Sequence, residues 1–178
     1  MEFSLSDNKT EFIGYSLFQS SSSGAYMGNF LMLQTDMEER LSEYTGPELM
    51  RQLLKSLAEK LSRQFPTYSG RLGVDMMVCK TNRGYQIQPC VEINLRMNMG
   101  IVAHIFYNRF VKAGATGRFT VDFFKKQGEA LTFQRKMLES SPLVVENGKI
   151  VSGFLPLTPV SKETNYVAWV AISSAKYR

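Results

Sequence analysis

The 178-residue sequence is poor in the side chains that support zinc, redox or nucleophilic chemistry. It holds two cysteines and one histidine, with no Cys/His spacing typical of a zinc site. The histidine, His104, has no serine, cysteine or second histidine at a recognisable spacing, so a catalytic dyad is unsupported. Two cysteines in an otherwise ordinary composition do not indicate a disulfide-stabilised protein.

Long apolar runs are also missing. No stretch approaches the ~18 consecutive apolar residues of a transmembrane helix, and the segment Met1-Glu2-Phe3-Ser4 does not begin a signal peptide. We therefore expect a cytoplasmic protein with no membrane partner. The formal net charge is +5, but the basic residues are dispersed. A dispersed charge does not predict a nucleic-acid partner.

Two extended runs dominate the middle of the chain. Leu72–Lys80 and Tyr85–Leu95 are joined by Thr81-Asn82-Arg83-Gly84, a glycine-containing hairpin signal. A connection of two or four residues gives three cross-strand pairs: Lys80 with Tyr85, Asp75 with Cys90, and Val74 with Val91.

This register gives the hairpin one apolar and one polar face, because side chains alternate along a strand. The apolar face, predicted to form core, carries Val74, Met76, Val78, Ile87, Pro89 and Val91. The polar face carries Asp75, Gln88, Cys90, Glu92, Asn94 and Arg96. Asp75 and Glu92 become diagonal neighbours, ~7–8 Å apart at the backbone. A three-residue loop would reverse the parity and separate them.

Asp75, Glu92 and Asn94 offer two carboxylates and an amide, the oxygen ligands that suit Mg²⁺. Arg96 lies two residues beyond Asn94, within reach of phosphate oxygens held at the same ion. The alternative is that the two carboxylates are solvated residues of a polar sheet face and that Asn94 is a turn residue at a strand end.

The pattern resembles the metal-binding end of the ATP-grasp family. That family carries an Asp on one strand and Glu-x-Asn on the next, often with Arg two residues later; here these are Asp75 and Glu92-Ile93-Asn94-Leu95-Arg96. The resemblance extends from about Glu11 to about Ala103. It implies a ligase that transfers the γ-phosphoryl of ATP to a carboxylate, giving an acylphosphate that an amine or thiol attacks.

Carried over by residue, the resemblance implies that Asp75, Glu92 and Asn94 hold Mg²⁺. Arg96 would bind ATP and act in catalysis by stabilising the transferring phosphoryl, and Arg71 is a further phosphate-binding candidate. The family's phosphate-binding lysines and Gly-rich loop come from a part that precedes this region. We therefore expect the chain to be the C-terminal half of a larger ligase, inactive alone, whose partners are ATP, an unidentified carboxylate and the upstream half.

The remaining pattern predicts an α+β fold. Glu11–Gln19 and Ala25–Gln34 are predicted strands, and Thr35-x-x-Glu38 and Thr45-x-x-Glu48 are capping boxes that predict two helices. The second helix carries an apolar stripe, and Pro66 ends it. The stripe consists of Leu49, Met50, Leu53, Leu54, Leu57, Ala58 and Leu61.

Beyond Gly100 a short helix is predicted with Ile101, Val102, Ile105 and Phe106 inward. The later predicted elements are a strand Arg118–Phe124, a helix Gly128–Ser140, a hairpin at Asn147-Gly148 and a strand Asn165–Ser173. We expect a mostly antiparallel sheet with helices packed on one face, like the C-terminal subdomain of the ATP-grasp fold. Residues 1–113 would form that subdomain and residues 114–178 a β-rich extension.

Two other functions stay open at this point. The chain could be a non-catalytic α+β binding module whose acidic sheet face is incidental. A weaker alternative is a nucleic-acid binder that uses exposed aromatic side chains, although no RNA-binding signature supports it.

Overall fold

The computed structural model describes residues 1–174, which form an α+β fold. The helices are α1 (Gln34–Ser42), α2 (Pro47–Gln64), α3 (Met99–Phe110) and α4 (Glu129–Ser140). The strands are β1 (Glu2–Ser6), β2 (Lys9–Gly14), β3 (Phe18–Ser20), β4 (Tyr26–Leu31), β5 (Gly70–Thr81), β6 (Gly84–Asn94), β7 (Thr116–Phe123), β8 (Val144–Glu146), β9 (Lys149–Pro156) and β10 (Tyr166–Ser173). Within residues 1–174, every helix is too short or too polar to cross a membrane.

The strands form two sheets. A four-stranded sheet has the order β2-β1-β5-β6, and a six-stranded sheet has the order β3-β4-β7-β10-β9-β8. All neighbouring strands in both sheets run antiparallel. The predicted α+β class and the dominance of antiparallel pairing are therefore confirmed. The strands are shared between two sheets, where the sequence predicted one.

The chain folds into two compact units that alternate along the sequence. The first unit contains Met1–Ser16 and Gln34–Val102, and the second contains Leu17–Leu33 and residues 103–174. The four-stranded sheet belongs to the first unit, and the six-stranded sheet belongs to the second. The expected division of the sequence at residues 113 and 114 stays a prediction.

The core of the first unit lies between α2 and its sheet. Phe3, Leu72 and Val74 are fully buried, and Leu61 of α2 is nearly so. Burying a side chain of this size stabilises a fold by about 1.5–3 kcal/mol. Contacts between α2 and β2, together with a 2.6 Å hydrogen bond between the hydroxyls of Thr10 and Ser62, hold the helix against the β2 side of the sheet.

The core of the second unit is built around aromatic rings. Phe154 is fully buried and packs against Phe133 and Trp169, with ring centroids 5.8 and 5.6 Å away. The Trp169 indole donates a 2.8 Å hydrogen bond to Asp122. Aromatic pairs of this kind add about 0.5–1.5 kcal/mol beyond the area they bury.

Several predicted elements after the central hairpin are confirmed within a residue or two, and α4 begins directly after Gly128. The predicted turn between β8 and β9 is confirmed as well, with Asn147 at φ 49° and Gly148 at φ 74°. Two positive φ values are what a type I′ hairpin turn requires.

Near the N-terminus the predicted boundaries are partly wrong. The run predicted as one strand, Glu11–Gln19, spans parts of β2 and β3, and β1 was missed. The predicted capping box at Thr45 is also wrong, because α2 begins at Pro47 after Gly46 and has no side-chain cap hydrogen bond. Proline suits the first helical position, because its ring fixes a helical φ and its missing N–H would have no partner within the first turn.

The inward face of α3 differs in part from the prediction. Ile101 and Phe106 are buried as expected, whereas Ile105 is 37% exposed. Ala103 and Tyr107 are buried instead. The buried face of the helix is therefore rotated toward Ala103 and Tyr107, and a short apolar helix has too little polarity contrast to reveal this.

Candidate metal centre

The β5–β6 hairpin begins in the predicted register. Its connection is Asn82-Arg83, and Lys80 pairs with Tyr85 as expected. The Thr81 hydroxyl donates to the Gly84 carbonyl at 2.9 Å, and Gly84 takes a φ of 104° that favours glycine. The turn and the outer half of the hairpin therefore follow directly from the local sequence.

Further along, the register shifts by two residues, and two predicted pairs are wrong. Asp75 lies opposite Glu92, not Cys90, and Val74 lies opposite Ile93, not Val91. The irregularity falls between Asp75 and Met77, where β6 contains Pro89. Proline within a sheet is found on edge strands and at bulges, and β6 is an edge strand, so an irregularity at this position has a local cause.

A shift of two residues preserves the face of the paired residues on either side of the irregularity, because the alternation along a strand has a period of two. Asp75 and Glu92 therefore share a face, as predicted, but they are direct rather than diagonal neighbours. Cys90 lies within the irregular stretch and, against the prediction, is on the α2 side with Ile93. The predicted core face is only partly buried. Val74 is fully buried, whereas Val78 is 37% exposed and Val91 is 53% exposed.

Two adjacent rows of residues define the site, one that crosses β1, β5 and β6 and one that crosses β5 and β6. In one row Glu2 on β1 and Asn94 on β6 flank Gly73 on β5. In the next row Asp75 faces Glu92. Asn94 joins the two rows, because its Nδ2 donates to Asp75 Oδ2 at 3.3 Å.

Arg96 extends this set toward solvent. Its Nη2 donates a 2.9 Å hydrogen bond to Asn94 Oδ1, so Asn94 links Asp75 to Arg96. Asn94 is buried, Asp75 is half-buried, and Glu92 and Arg96 are exposed. The structure thus brings Asp75, Glu92, Asn94 and Arg96 together, with a charged rim that a ligand from solvent can reach.

The electrostatics of the site centre on Asp75. Burial is the largest cause that raises the pKa of the Asp75 carboxyl, and the negative charge of Glu92 raises it further. The Met1 amino group, the hydrogen bond from Asn94 and the positive charge of Arg96 oppose this increase. The ionised form of Asp75 is therefore disfavoured beside Glu92, and a bound cation would relieve that repulsion.

Beneath this set lies a carboxylate that sequence reasoning missed. Glu2 is only 4% exposed, and its Oε2 accepts a 2.9 Å hydrogen bond from Asn98 Nδ2. Burial is the largest cause that raises the pKa of Glu2. Asn98 Oδ1 accepts from the Ile101 amide at 2.8 Å, as an N-cap side chain does at the start of α3.

A sequence signal for this part of the site existed. Phe3 and Leu5 alternate with polar residues, and Asp7-Asn8 is a pair that tolerates the positive φ values of a tight turn. These features are enough to predict a hairpin formed by β1 and β2. That prediction would have placed Glu2 at the start of a strand. In the structure Asp7 and Asn8 have φ values of 49° and 58°.

Arg71, the weaker phosphate candidate, is not part of the hydrogen-bonded set. It lies on β5 opposite Ser4, four residues before Asp75 and therefore ~13 Å along the strand. Within residues 1–174, no hydrogen bond or ion pair joins its guanidinium to Asp75, Glu92 or Asn94.

The donors suit a hard divalent cation that keeps several non-protein ligands. Across the described part of the chain, no group of three or more His, Cys, Asp and Glu side chains is arranged to hold a metal. Asp75, Glu92 and Asn94 supply two carboxylates and one amide. Mg²⁺ is usually bound by one or two carboxylates together with water and substrate phosphates, so this oxygen set fits Mg²⁺ and not zinc.

Comparisons with known proteins do not name a family for the chain. No protein-family model matches the sequence, and no curated protein matches it.

Proposed function

We propose that this chain provides the Mg²⁺- and ATP-binding end of an ATP-grasp-type ligase. The observation that carries the proposal is the linked set in which Asp75 faces Glu92, while Asn94 joins Asp75 to Arg96 through bonds of 3.3 and 2.9 Å. The set matches the order Asp, then Glu-x-Asn-x-Arg, by which the sequence resembles that family.

The proposed reaction activates a carboxylate. A carboxylate oxygen attacks the γ-phosphorus of ATP, the bond to the bridging oxygen breaks, and ADP leaves. An amine or thiol then attacks the acyl carbon and displaces phosphate. Positioning and charge neutralisation are the main contributions of a protein to such a transfer.

Each residue of the set has a role in this proposal. Asp75 and Glu92 would hold Mg²⁺ through their carboxylates, and the ion would neutralise phosphate charge. Asn94 would join them once its amide turns, because its Nδ2 now faces Asp75 and its Oδ1 accepts from Arg96. Arg96 is exposed, and its Nη2 donates to Asn94 Oδ1 while its Nη1 makes only a long, 3.5 Å contact with the Met97 carbonyl. Nε and the weakly bound Nη1 are therefore the donors that phosphate oxygens would reach. Arg71 would need the ATP phosphates to extend along β5 to take part.

A titration of the chain with Mg²⁺ and then ATP, followed by amide NMR, tests the proposal. We expect saturable shifts at Asp75, Glu92 and Asn94, and we expect Glu92→Gln to weaken Mg²⁺ binding at least about tenfold, a change of 1.4 kcal/mol. Glu11→Gln is the matched control, because Glu11 is an exposed carboxylate on β2 of the same sheet.

Unchanged spectra at millimolar Mg²⁺ and ATP would reject the proposal in favour of a non-catalytic binding module with an incidental acidic face. In the larger ligase that the proposal implies, Glu92→Gln should abolish ATP turnover and leave the fold intact. Retained turnover would reject the role given to Glu92.

A further inference from the structure

A groove beside α2 is separate from the candidate metal centre. It has a volume of about 460 Å³ and lies between the C-terminal half of α2 and β6. Ile93 contributes to its wall, and Ile93 points to the sheet face opposite Glu92 and Asn94 because adjacent residues of a strand alternate. A ligand in the groove would therefore lie on the other side of the sheet from the acidic pair.

The groove exists because α2 covers only part of the sheet. β2 and β6 are the two edges of the four-stranded sheet, and α2 packs toward the β2 edge. The β6 edge is left open, and Ile93 is 37% exposed there although its partner Val74 is fully buried. The side chains that face this gap are mainly apolar: Leu53, Leu57, Leu61, Phe65, Pro89 and Ile93.

The charges at the groove all have one sign. Lys60 and Arg63 line it, and its lining contains no acidic residue. Arg63 is 79% exposed and makes only a long, 3.6 Å contact with Glu59, a pair that is worth little. Lys60 makes no hydrogen bond or ion pair within the described residues. The groove thus combines an apolar wall with two cations able to bind an anion.

We propose that this groove binds a small amphiphile with a hydrocarbon body and one carboxylate or phosphate head group. The volume lies in the usual range of small-ligand pockets, ~300–1,000 Å³. The apolar body would cover the leucines and Ile93, and the head group would lie at Lys60 and Arg63.

An added peptide strand is a poorer occupant. Strand addition requires a continuous row of edge N–H and C=O groups. Pro89 removes one donor from β6, and the register shift beside it interrupts the ladder. The edge next to the groove is therefore unsuited to pairing with a second chain.

Decanoate below its micelle concentration is the test ligand, and Cys90 is the reporter. Cys90 lines the groove, whereas Cys79 is a free cysteine outside it and serves as an internal control. We expect decanoate to slow alkylation of Cys90 several-fold in a saturable manner and to leave the alkylation rate of Cys79 unchanged. Peptide-resolved mass spectrometry measures both rates, and calorimetry measures the affinity.

Charge-reversed variants test the head-group site. Lys60→Glu and Arg63→Glu should each weaken decanoate binding about tenfold, while Lys55→Glu on the same helix, outside the groove, should not. Amide spectra of each variant establish that the fold is retained. Decyl phosphate should bind like decanoate, whereas decyltrimethylammonium should bind much more weakly.

Three results would overturn this proposal. The first is equal protection of Cys90 by decanoate and decyltrimethylammonium, which would mean that only the hydrocarbon matters. The second is protection that grows with protein concentration in the absence of any ligand, which would mean that a second copy covers the groove. The third is binding to anionic vesicles with no binding of monomeric decanoate, which would indicate a membrane surface.

Discussion

Asp75 and Glu92 form an unfavourable pair when no cation is bound. Carboxylates directly opposite each other on antiparallel strands repel, and burial adds to the cost for Asp75. The positive charges of the Met1 amino group and Arg96 partly offset this cost, and Arg96 contacts Asn94 rather than either carboxylate in the described hydrogen bonds. The fold therefore carries a local electrostatic cost that binding of a divalent ion would remove.

The raised pKa of Asp75 gives a prediction for stability against pH. Between the ordinary aspartate pKa, ~3.9, and the raised folded-state pKa, the native protein binds more protons than the unfolded chain. The free energy of unfolding therefore falls as pH rises through this window. Asp75→Asn should remove that decrease and stabilise the protein above the window by roughly 0.2–1 kcal/mol, the range of cross-strand pair energies.

Urea unfolding at a series of pH values in metal-free buffer measures this effect. The Asp75→Asn curve should be flatter through the window, whereas Glu11→Gln should keep the wild-type slope. An Asp75→Asn protein with the wild-type slope, or with lower stability at neutral pH, would contradict the account of a buried and repelled carboxylate.

At the scale of elements, three chain segments meet around Glu2. β1 carries Glu2, β5 places Gly73 opposite it, and Asn98 joins Glu2 to the first turn of α3. A Cβ on Gly73 would overlap the Asn98 amide and lie 2.7 Å from Glu2 Oε2, and a Cβ on Gly100 would overlap Glu2 and Ser16. The two glycines therefore make room for a buried polar cluster.

Gly73→Ala should destabilise the protein by about 1–3 kcal/mol, the usual cost of overpacking a well-filled site. The overlapped group is mainly the Asn98 side chain, so the double variant Gly73→Ala/Asn98→Ala should lose less stability than the sum of the two single changes. Chemical denaturation of the wild type, the two single variants and the double variant measures the four free energies of unfolding. Strictly additive losses would show that the two residues do not share this space.

The hairpin shows how far local sequence predicts the site. The Asn82-Arg83 connection and the pairing of Lys80 with Tyr85 were predictable because turn residues specify them. The register near Asp75 could not be predicted, because it depends on where the pairing of β5 and β6 shifts near Pro89. The prediction that Asp75 and Glu92 share a face was correct, since the shift is even and preserves the alternation.

The other errors concern burial, which depends on contacts that are distant in sequence. β1 is five residues long and its first residue is a buried glutamate, which a hydrophobic pattern excludes from the core. Burial of Glu2 depends on Asn98, which is 96 residues away in sequence. Val91, which is 53% exposed, lies in the irregular stretch of β6 between Gln88 and Glu92, and a strand pattern does not reveal such a stretch.

At the scale of the molecule, the chain contains two cores. The single tryptophan, Trp169, lies in the second unit and contacts Phe154 and Phe133 there. The candidate metal centre and the groove beside α2 both lie in the first unit. Tryptophan fluorescence therefore reports unfolding of the second unit, whereas a ligand at either site would bind to the first unit.

Phe154→Ala should cost about 3–5 kcal/mol, as expected for removal of a fully buried ring. Hydrogen exchange should show the loss of protection mainly in β7, β9 and β10. Leu138→Ala, at a 42% exposed position of the same unit, should change stability by about 0.5 kcal/mol or less. If β1 and β5 lost as much exchange protection in Phe154→Ala as β7, β9 and β10, the two compact units would unfold as one.

The central claim is that Asp75, Glu92 and Asn94 form a binding site for a divalent cation. Paramagnetic broadening of amide signals by Mn²⁺ tests it most directly, because Mn²⁺ accepts the same oxygen ligands as Mg²⁺. We predict that the amides of Asp75, Glu92 and Asn94 broaden at the lowest Mn²⁺ concentrations and recover when excess Mg²⁺ is added. Broadening that begins at other acidic positions, such as Glu48 or Glu59 on α2, with these three amides unaffected, would contradict the claim.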